Sequence, residues 1–342
     1  MPNLPIRSFL ADTSEQSQRP VVEPIQKRAS LITSGSGAQT DRIFSFAMLM
    51  GALSVLGIVL LIVTQLYTQS KLSIAQFGWK FFTSSNWDPV SGDFGALPFI
   101  YGTLVSSALA LLIAVPLGVG VAIFMNEVCP RSFRNIFSYM VELLAAIPSV
   151  IYGLWGMFIL VPIMRIYIEP FFAKHLGWTG LFSGPAYGIG MLPASVILAI
   201  MVIPFISSIT REVMLAVPQS QREAVLALGA TRWEMLRLGV LRNARLGILG
   251  GIVLALGRAL GETMAVTMLI GNRPEISKSL LAPGYTMASV IANEFSEATG
   301  DLYLSALMEI GLALFAVTII VNILAQVLIW NITRGSAARA HG

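Results

Sequence analysis

Six stretches of this chain are apolar over the length a helix needs to cross a bilayer, and no other property of the sequence narrows its fold as far. They run over about Phe44–Tyr67, Gly102–Met125, Ser138–Met164, Leu192–Val213, Leu246–Ile270 and Leu304–Ile329. A hydrocarbon core about 30 Å thick takes roughly 20 apolar residues at a rise of about 1.5 Å each, and every stretch meets that length. The expected fold class is therefore all-α, a polytopic membrane protein with six transmembrane helices. Composition agrees, with 55% of the 342 residues hydrophobic and 12% charged, where soluble domains carry roughly a quarter charged residues.

An even number of spans puts both termini on one side. Fifteen Lys and Arg fall on that side, before the first span, after the second, between the fourth and fifth, and after the sixth. Six fall on the other, namely Lys71, Lys80, Arg165, Lys174, Arg273 and Lys278. The positive-inside rule then makes both termini cytoplasmic. The net charge of +4 follows from this loop asymmetry, and no nucleic-acid partner is implied. Residues 1–41, rich in Ser, Gln, Pro and Thr, read as a disordered cytoplasmic tail, 42–334 as the six-span domain, and 335–342 as a second cytoplasmic tail. A single cysteine, Cys129, permits no intrachain disulfide. Aromatics in the outer loops, among them Trp79, Phe81, Phe82, Trp87, Phe171, Phe172 and Trp178, fit anchoring at the membrane surface.

Arg258 and Glu262 lie inside the fifth apolar run. A charge at a helix centre costs on the order of 3 kcal/mol on insertion scales, so such residues pair, face a polar cavity, and mark a substrate or ion path. At i, i+4 the two share a helix face and can bond each other or line one surface together. An ion pair that only fixes helix packing is the alternative. Glu142, near the start of the third run, is a further candidate for the path, unless Arg134 neutralises it at the interface. Prolines 116, 148, 162 and 204 can kink their spans. The spacings Gly247/Gly251 and Gly257/Gly261 allow close backbone approach, so the fifth span is expected at the centre of packing.

Between the fourth and fifth runs, residues 219–245 are helical in character and too charged to span. Ser220 with Glu223, and Thr231 with Glu234, each fit the S/T-x-x-E capping box, and Gly229 stands where the first short helix should stop. Two short helices are expected. Ala224, Val225 and Leu228 form an apolar stripe on the first, and Trp233, Leu236 and Val240 another on the second. The stripes bury either against the protein's own spans or against a separate cytoplasmic protein.

The run E223-A-V-x3-G229 resembles the E-A-A-x3-G signature of permease subunits of binding-protein-dependent ABC importers, in the family's position before the penultimate span. Val225 replaces the second alanine, and Arg242 stands where the family often has proline. I147-P-S-V-I-Y-G-L-W-G156, G257-R-A-L-G-E-T-M-A-V266 and A292-N-E-F-S-E-A298 make the chain similar to the PstC-type permeases of phosphate importers, over about Phe44 to Ile329. The resemblance implies a type I ABC importer permease (MetI-like) fold in a bacterial inner membrane. It also implies a PstA-like second permease, two PstB-like ATPase subunits and a PstS-like extracytoplasmic phosphate-binding protein. Residues 219–245 would be the coupling loop, with Glu223, Ala224, Val225, Leu228, Gly229, Thr231 and Glu234 at the ATPase. Phosphate would meet Arg258, whose guanidinium suits its oxygens, while Glu262 would hold Arg258 and keep binding reversible.

No Walker A pattern occurs, so ATP and Mg would belong to the partner ATPase and this chain would bind no cofactor. A permease for sulfate or molybdate, or the sister PstA-type subunit, stays open. A membrane-embedded enzyme is the reading from another class, but the only histidines are His175 and His341, and no metal cluster or nucleophile–base spacing is present. A passive channel or receptor leaves the doubly capped loop without a purpose.

Overall fold

The computed structural model describes residues 37–338, with the side chains of 41–130 and 132–331. Of the expected tails, residues 1–36 and 339–342 lie outside the described residues. Helix already begins at Gly37 and the last helix continues to Ala338, so each tail boundary falls inside a helix. The chain divides into two compact units, Met1–Ile62 and Val63–Gly342. Where described, the first is part of one apolar helix, Gly37–Gln69.

Six helices are long and apolar enough to cross a membrane, and they are numbered here as spans one to six: Asp41–Gln69, Leu97–Val128, Ser149–Thr179, Met191–Leu215, Arg232–Leu260 and Asp301–Asn331. All six expected segments are present, but two are cut differently. Ser138 belongs to a separate helix, Arg131–Ala146, charged on one face and apolar on the other. That helix ends because Pro148 crowds the residue before it, and Ile147 is accordingly extended, at φ −64° and ψ 129°. Span three starts afresh at Ser149 and contains two π-helical stretches, Gly156–Leu160 and Met164–Ile168.

Span five also departs from the expected Leu246–Ile270. Its helix stops at Leu260, and a separate short helix, Met264–Ile270, follows after Gly261, Glu262 and Thr263. Glycine weakens a helix interior by about 1 kcal/mol relative to alanine, and Gly257 and Gly261 fall together here. At its other end the span reaches back through a π-helical stretch, Met235–Leu241, to Arg232. The second expected short helix is therefore the opening of span five itself. Arg232, Arg237, Arg242 and Arg245 depress the hydropathy of this part and disguise its continuity with the rest.

Span four forms the centre of the core, packing Ile197, Leu198, Val202 and Ile206 among residues of spans two, three and five and the helix Met264–Ile270. Glycines set the approach of its neighbours. A Cβ on Gly251 would lie 2.7 Å from Ile209, and Gly247 faces Val213 in the same way, so this G-x-x-x-G spacing is a contact with span four. The second spacing is not: a Cβ on Gly257 would find its nearest neighbour, Asn322, at an ordinary 3.7 Å. Gly153 and Gly156 bring span three onto Met264–Ile270, where added Cβ atoms would meet Met268 and Leu269 at 2.6 and 2.9 Å.

A second cluster joins the segment before span two to the segment after Ile270. Trp87 pairs with Phe94 and Asp88 with Asp93 in a two-residue antiparallel ladder. Around it Phe81, Trp87, Phe94, Phe99, Tyr285 and Leu307 are buried together. Membrane anchoring thus does not describe Phe81 and Trp87, which are core residues, whereas Trp79 and Trp178 are exposed.

Candidate functional site

Arg258 occupies the last turn of span five and is exposed, with its guanidinium carbon 5.9 Å from the centre of the Phe205 ring on span four. That distance suits a cation–π contact. No ion pair joins it to Glu262, contrary to the expected i, i+4 bond. The break at Gly261 takes the two side chains off a common helix face. Glu262 instead turns forward, and its Oε1 accepts from the Ala265 N–H at 3.3 Å, at the start of the next helix. Among the described residues no carboxylate forms an ion pair with Arg258, which is exposed at the end of a helix and can offer paired N–H donors to an anion.

Glu142 is not inside a span. It is exposed on the helix Arg131–Ala146, and it accepts a hydrogen bond from the Ser138 hydroxyl at 3.0 Å. Arg134 does not neutralise it, because its guanidinium donates to the Asn126 carbonyl at 2.6 Å.

The loop before span five is built from a helix at Gln219–Ala227 followed by a turn in which Gly229 takes φ +83°. The first expected capping box is not formed. Pro218 occupies the cap position, no side chain caps that helix, and Ser220 and Glu223 lie within it. The second is formed: the Thr231 hydroxyl accepts from the Glu234 N–H, and the Glu234 carboxylate accepts from the Thr231 N–H at 2.8 Å. Of the two expected fates of the apolar stripes, packing against the protein's own spans is realised for part of them, and the rest is exposed. Leu236 and Val240 are buried with Met214 and Val217, and Val225 packs against them. Leu228 is 88% exposed, and Leu226, Trp233, Ala224 and Glu223 are also exposed. Polar bonds hold the inner side. Arg222 pairs with Glu127 of span two at 2.6 Å and donates to the Met214 carbonyl of span four, while Asn243 of span five donates to Gln221.

The motif A292–A298 is explained on the opposite side of the spans. Glu294 accepts from the Trp87 indole at 2.8 Å and the Tyr303 hydroxyl at 2.6 Å, tying the ladder to the start of span six. Two carboxylates passed unnoticed in the sequence. Glu169 in span three is fully buried and accepts from the Gly188 N–H at 2.8 Å. Glu309 in span six is buried beside Ser73. Glu309 carried the same signal as Arg258, a charge inside an apolar run; Glu169 lay beyond the expected end of its span. Among the described residues no group of three or more His, Cys, Asp or Glu could hold a metal ion.

A core span with others packed around it, a loop helix fastened to three of them, and an exposed guanidinium at the end of span five make up the candidate site. The chain belongs to the family of binding-protein-dependent transport system inner membrane components, whose family model matches residues 114–334. Within that family it falls among the PstC-type permeases. It is 47% identical over 305 residues, 88% of this chain and 93% of its relative, to the phosphate transport system permease protein PstC of Mesorhizobium japonicum. The PstC of Xylella fastidiosa is 51% identical over 261 residues, 75% of this chain and 80% of that one. The PstC of Haemophilus influenzae is 44% identical over 293 residues, 84% and 93% of the two chains. Among solved structures, a bacterial ABC transporter involved in the import of the acidic polysaccharide alginate shares the fold. Its TM-score is 0.56 at 16% identity, covering 86% of this chain and 99% of that one. The fold is that of a type I ABC importer permease, and the chain is a transport subunit.

Proposed function

We propose that this chain is the PstC-type permease subunit of an ATP-driven phosphate importer in a bacterial inner membrane, with both termini cytoplasmic. It forms half of the translocation path with a PstA-like subunit, receives phosphate from a PstS-like binding protein, and is driven by two PstB-like ATPase subunits. ATP and Mg are handled in the ATPase. The phosphate named in its relatives supports the cargo. The observation that carries the coupling role is the two-sided loop helix. Its inner side is fastened by Arg222 and Gln221 to spans two, four and five, while Leu226, Leu228 and Trp233 are presented outward around the Gly229 turn. An ATPase that grips the outer side moves the spans through the inner one. Arg258 is exposed on this subunit; in this reading a second permease subunit closes the path around it and its guanidinium meets the anion in transit.

Phosphate uptake by the reconstituted complex tests this reading. Arg258→Ala should lower uptake at least about tenfold, the loss of a charge-assisted hydrogen bond, with the ATPase still copurifying. Leu228→Asp should release the ATPase and leave the permease pair together. Normal uptake in Arg258→Ala with the complex intact would remove Arg258 from the path, and uptake of sulfate or molybdate in place of phosphate would reassign the cargo.

A further inference from the structure

A cleft of about 320 Å³ lies where the loop helix meets spans two and four, lined by Asn126, Arg134, Val217, Pro218, Gln219 and Arg222, and by no carboxylate. Glu127, next to the lining residue Asn126, is already paired with Arg222. A guanidinium carries five N–H donors. Arg134 commits one to the Asn126 carbonyl and has a buried Nε without a partner. Arg222 commits donors to Glu127 and Met214. The start of the helix Gln219–Ala227 opens onto the same cleft with no side-chain cap, adding partial positive charge.

Two guanidinium groups with uncommitted N–H donors, no carboxylate in the lining and an uncapped helix start around one cleft fit an anion. We propose that this cleft is a second anion site, separate from Arg258, which takes a phosphate group between Arg134, Arg222 and the start of the loop helix. The group is either free inorganic phosphate or the headgroup phosphate of an anionic lipid, which presents the same oxygens. Once seated, it bridges the helix Arg131–Ala146 to the loop helix and holds the loop against the ends of spans two and four, acting as a brake on the motion that coupling requires.

The test is a thermal-stability titration of the purified full-length chain in phospholipid-free detergent, with sodium phosphate against sodium chloride at matched ionic strength. A saturable rise in Tm is expected with phosphate. Arg134→Gln should weaken the apparent affinity about tenfold, as loss of a charge-assisted contact does, while Lys174→Gln, at an exposed position far along the chain from the cleft, leaves it unchanged. Arg134→Lys, which keeps the charge and loses the fork, should give an intermediate loss and serves if the glutamine variant does not fold. A short-chain phosphatidylglycerol titrated in the same detergent identifies the source: if it raises Tm and displaces phosphate, the occupant is a headgroup, and if it does not, free phosphate. No saturable effect from either ligand, equal binding by wild type and both Arg134 variants, or loss confined to Arg258→Gln would overturn the proposal. Because no transport is measured, failure here leaves the importer reading standing, and failed uptake says nothing of this cleft.

Discussion

Arg222 of the loop helix holds Glu127, in the final π-helical turn of span two, at 2.6 Å. The pair is mostly shielded from solvent, and Arg222 also reaches the Met214 carbonyl near the end of span four, so one side chain fastens the loop to two spans. Glu127→Gln is expected to cost about 1 kcal/mol of stability, near the upper end for pairs that water still reaches. Its larger effect should be on coupling, with ATP hydrolysis by the reconstituted complex continuing while uptake falls. The exchange Glu127→Arg with Arg222→Glu should recover part of the uptake, and both assays on one preparation check it.

The two capping sequences of the loop separate cleanly by mutation. Thr231→Ala removes a formed cap and should cost about 0.5–2 kcal/mol. Ser220→Ala should cost nothing measurable, since Pro218 holds the cap position and Ser220 lies inside the helix. Thermal melts of the detergent-solubilised chain distinguish the two outcomes.

Gly102 and Gly250 are both glycines of membrane spans, yet they should respond oppositely to alanine. A Cβ on Gly102 would run into the backbone carbonyl of Tyr285, which cannot move aside as a side chain can. Overpacking of that kind costs about 1–3 kcal/mol. A Cβ on Gly250 meets nothing within 4 Å, so Gly250→Ala should gain up to about 1 kcal/mol from helix propensity. The pair is read as a fall and a rise in Tm.

Phe205 positions the Arg258 guanidinium through its ring face. A cation–π contact is worth about 0.5–2 kcal/mol. Phe205→Leu should therefore raise the KM for uptake several-fold, and Phe205→Tyr should leave it close to wild type. Equal KM values in the leucine and tyrosine variants would show that the ring does not act on Arg258.

Hydropathy located all six spans, because apolar length is what a bilayer selects and what a sequence states directly. It did not show where a helix is interrupted. The break at Gly261 and the extended Ile147 before Pro148 leave the apolar character of their segments unchanged, so Leu246–Ile270 read as one rod and Ser138–Met164 as another. The converse error hid the start of span five, where four arginines lower hydropathy without ending the helix. Local chemistry was legible at Thr231 and Gly229, whose roles depend on neighbours a few residues away. Ser220 carried the same pattern as Thr231, but Pro218 had already set the helix start. The expected pairing of Arg258 with Glu262 is not formed, since it assumed a continuous helix between them.

Span five runs unbroken from the Thr231 cap to Leu260, and its closest contact with span four, at Gly247 and Gly251, lies part of the way along. At about 1.5 Å per residue, Trp233 is about 24 Å from that contact and Arg258 about 14 Å beyond it. The contact is thus a fulcrum set off-centre in a rigid beam. A swing of about 4 Å at Trp233 reaches Arg258 as about 2 Å in the opposite direction, enough to make or break a hydrogen bond. Span five would trade distance for force, so that a long stroke at the loop became a short, firm displacement of Arg258.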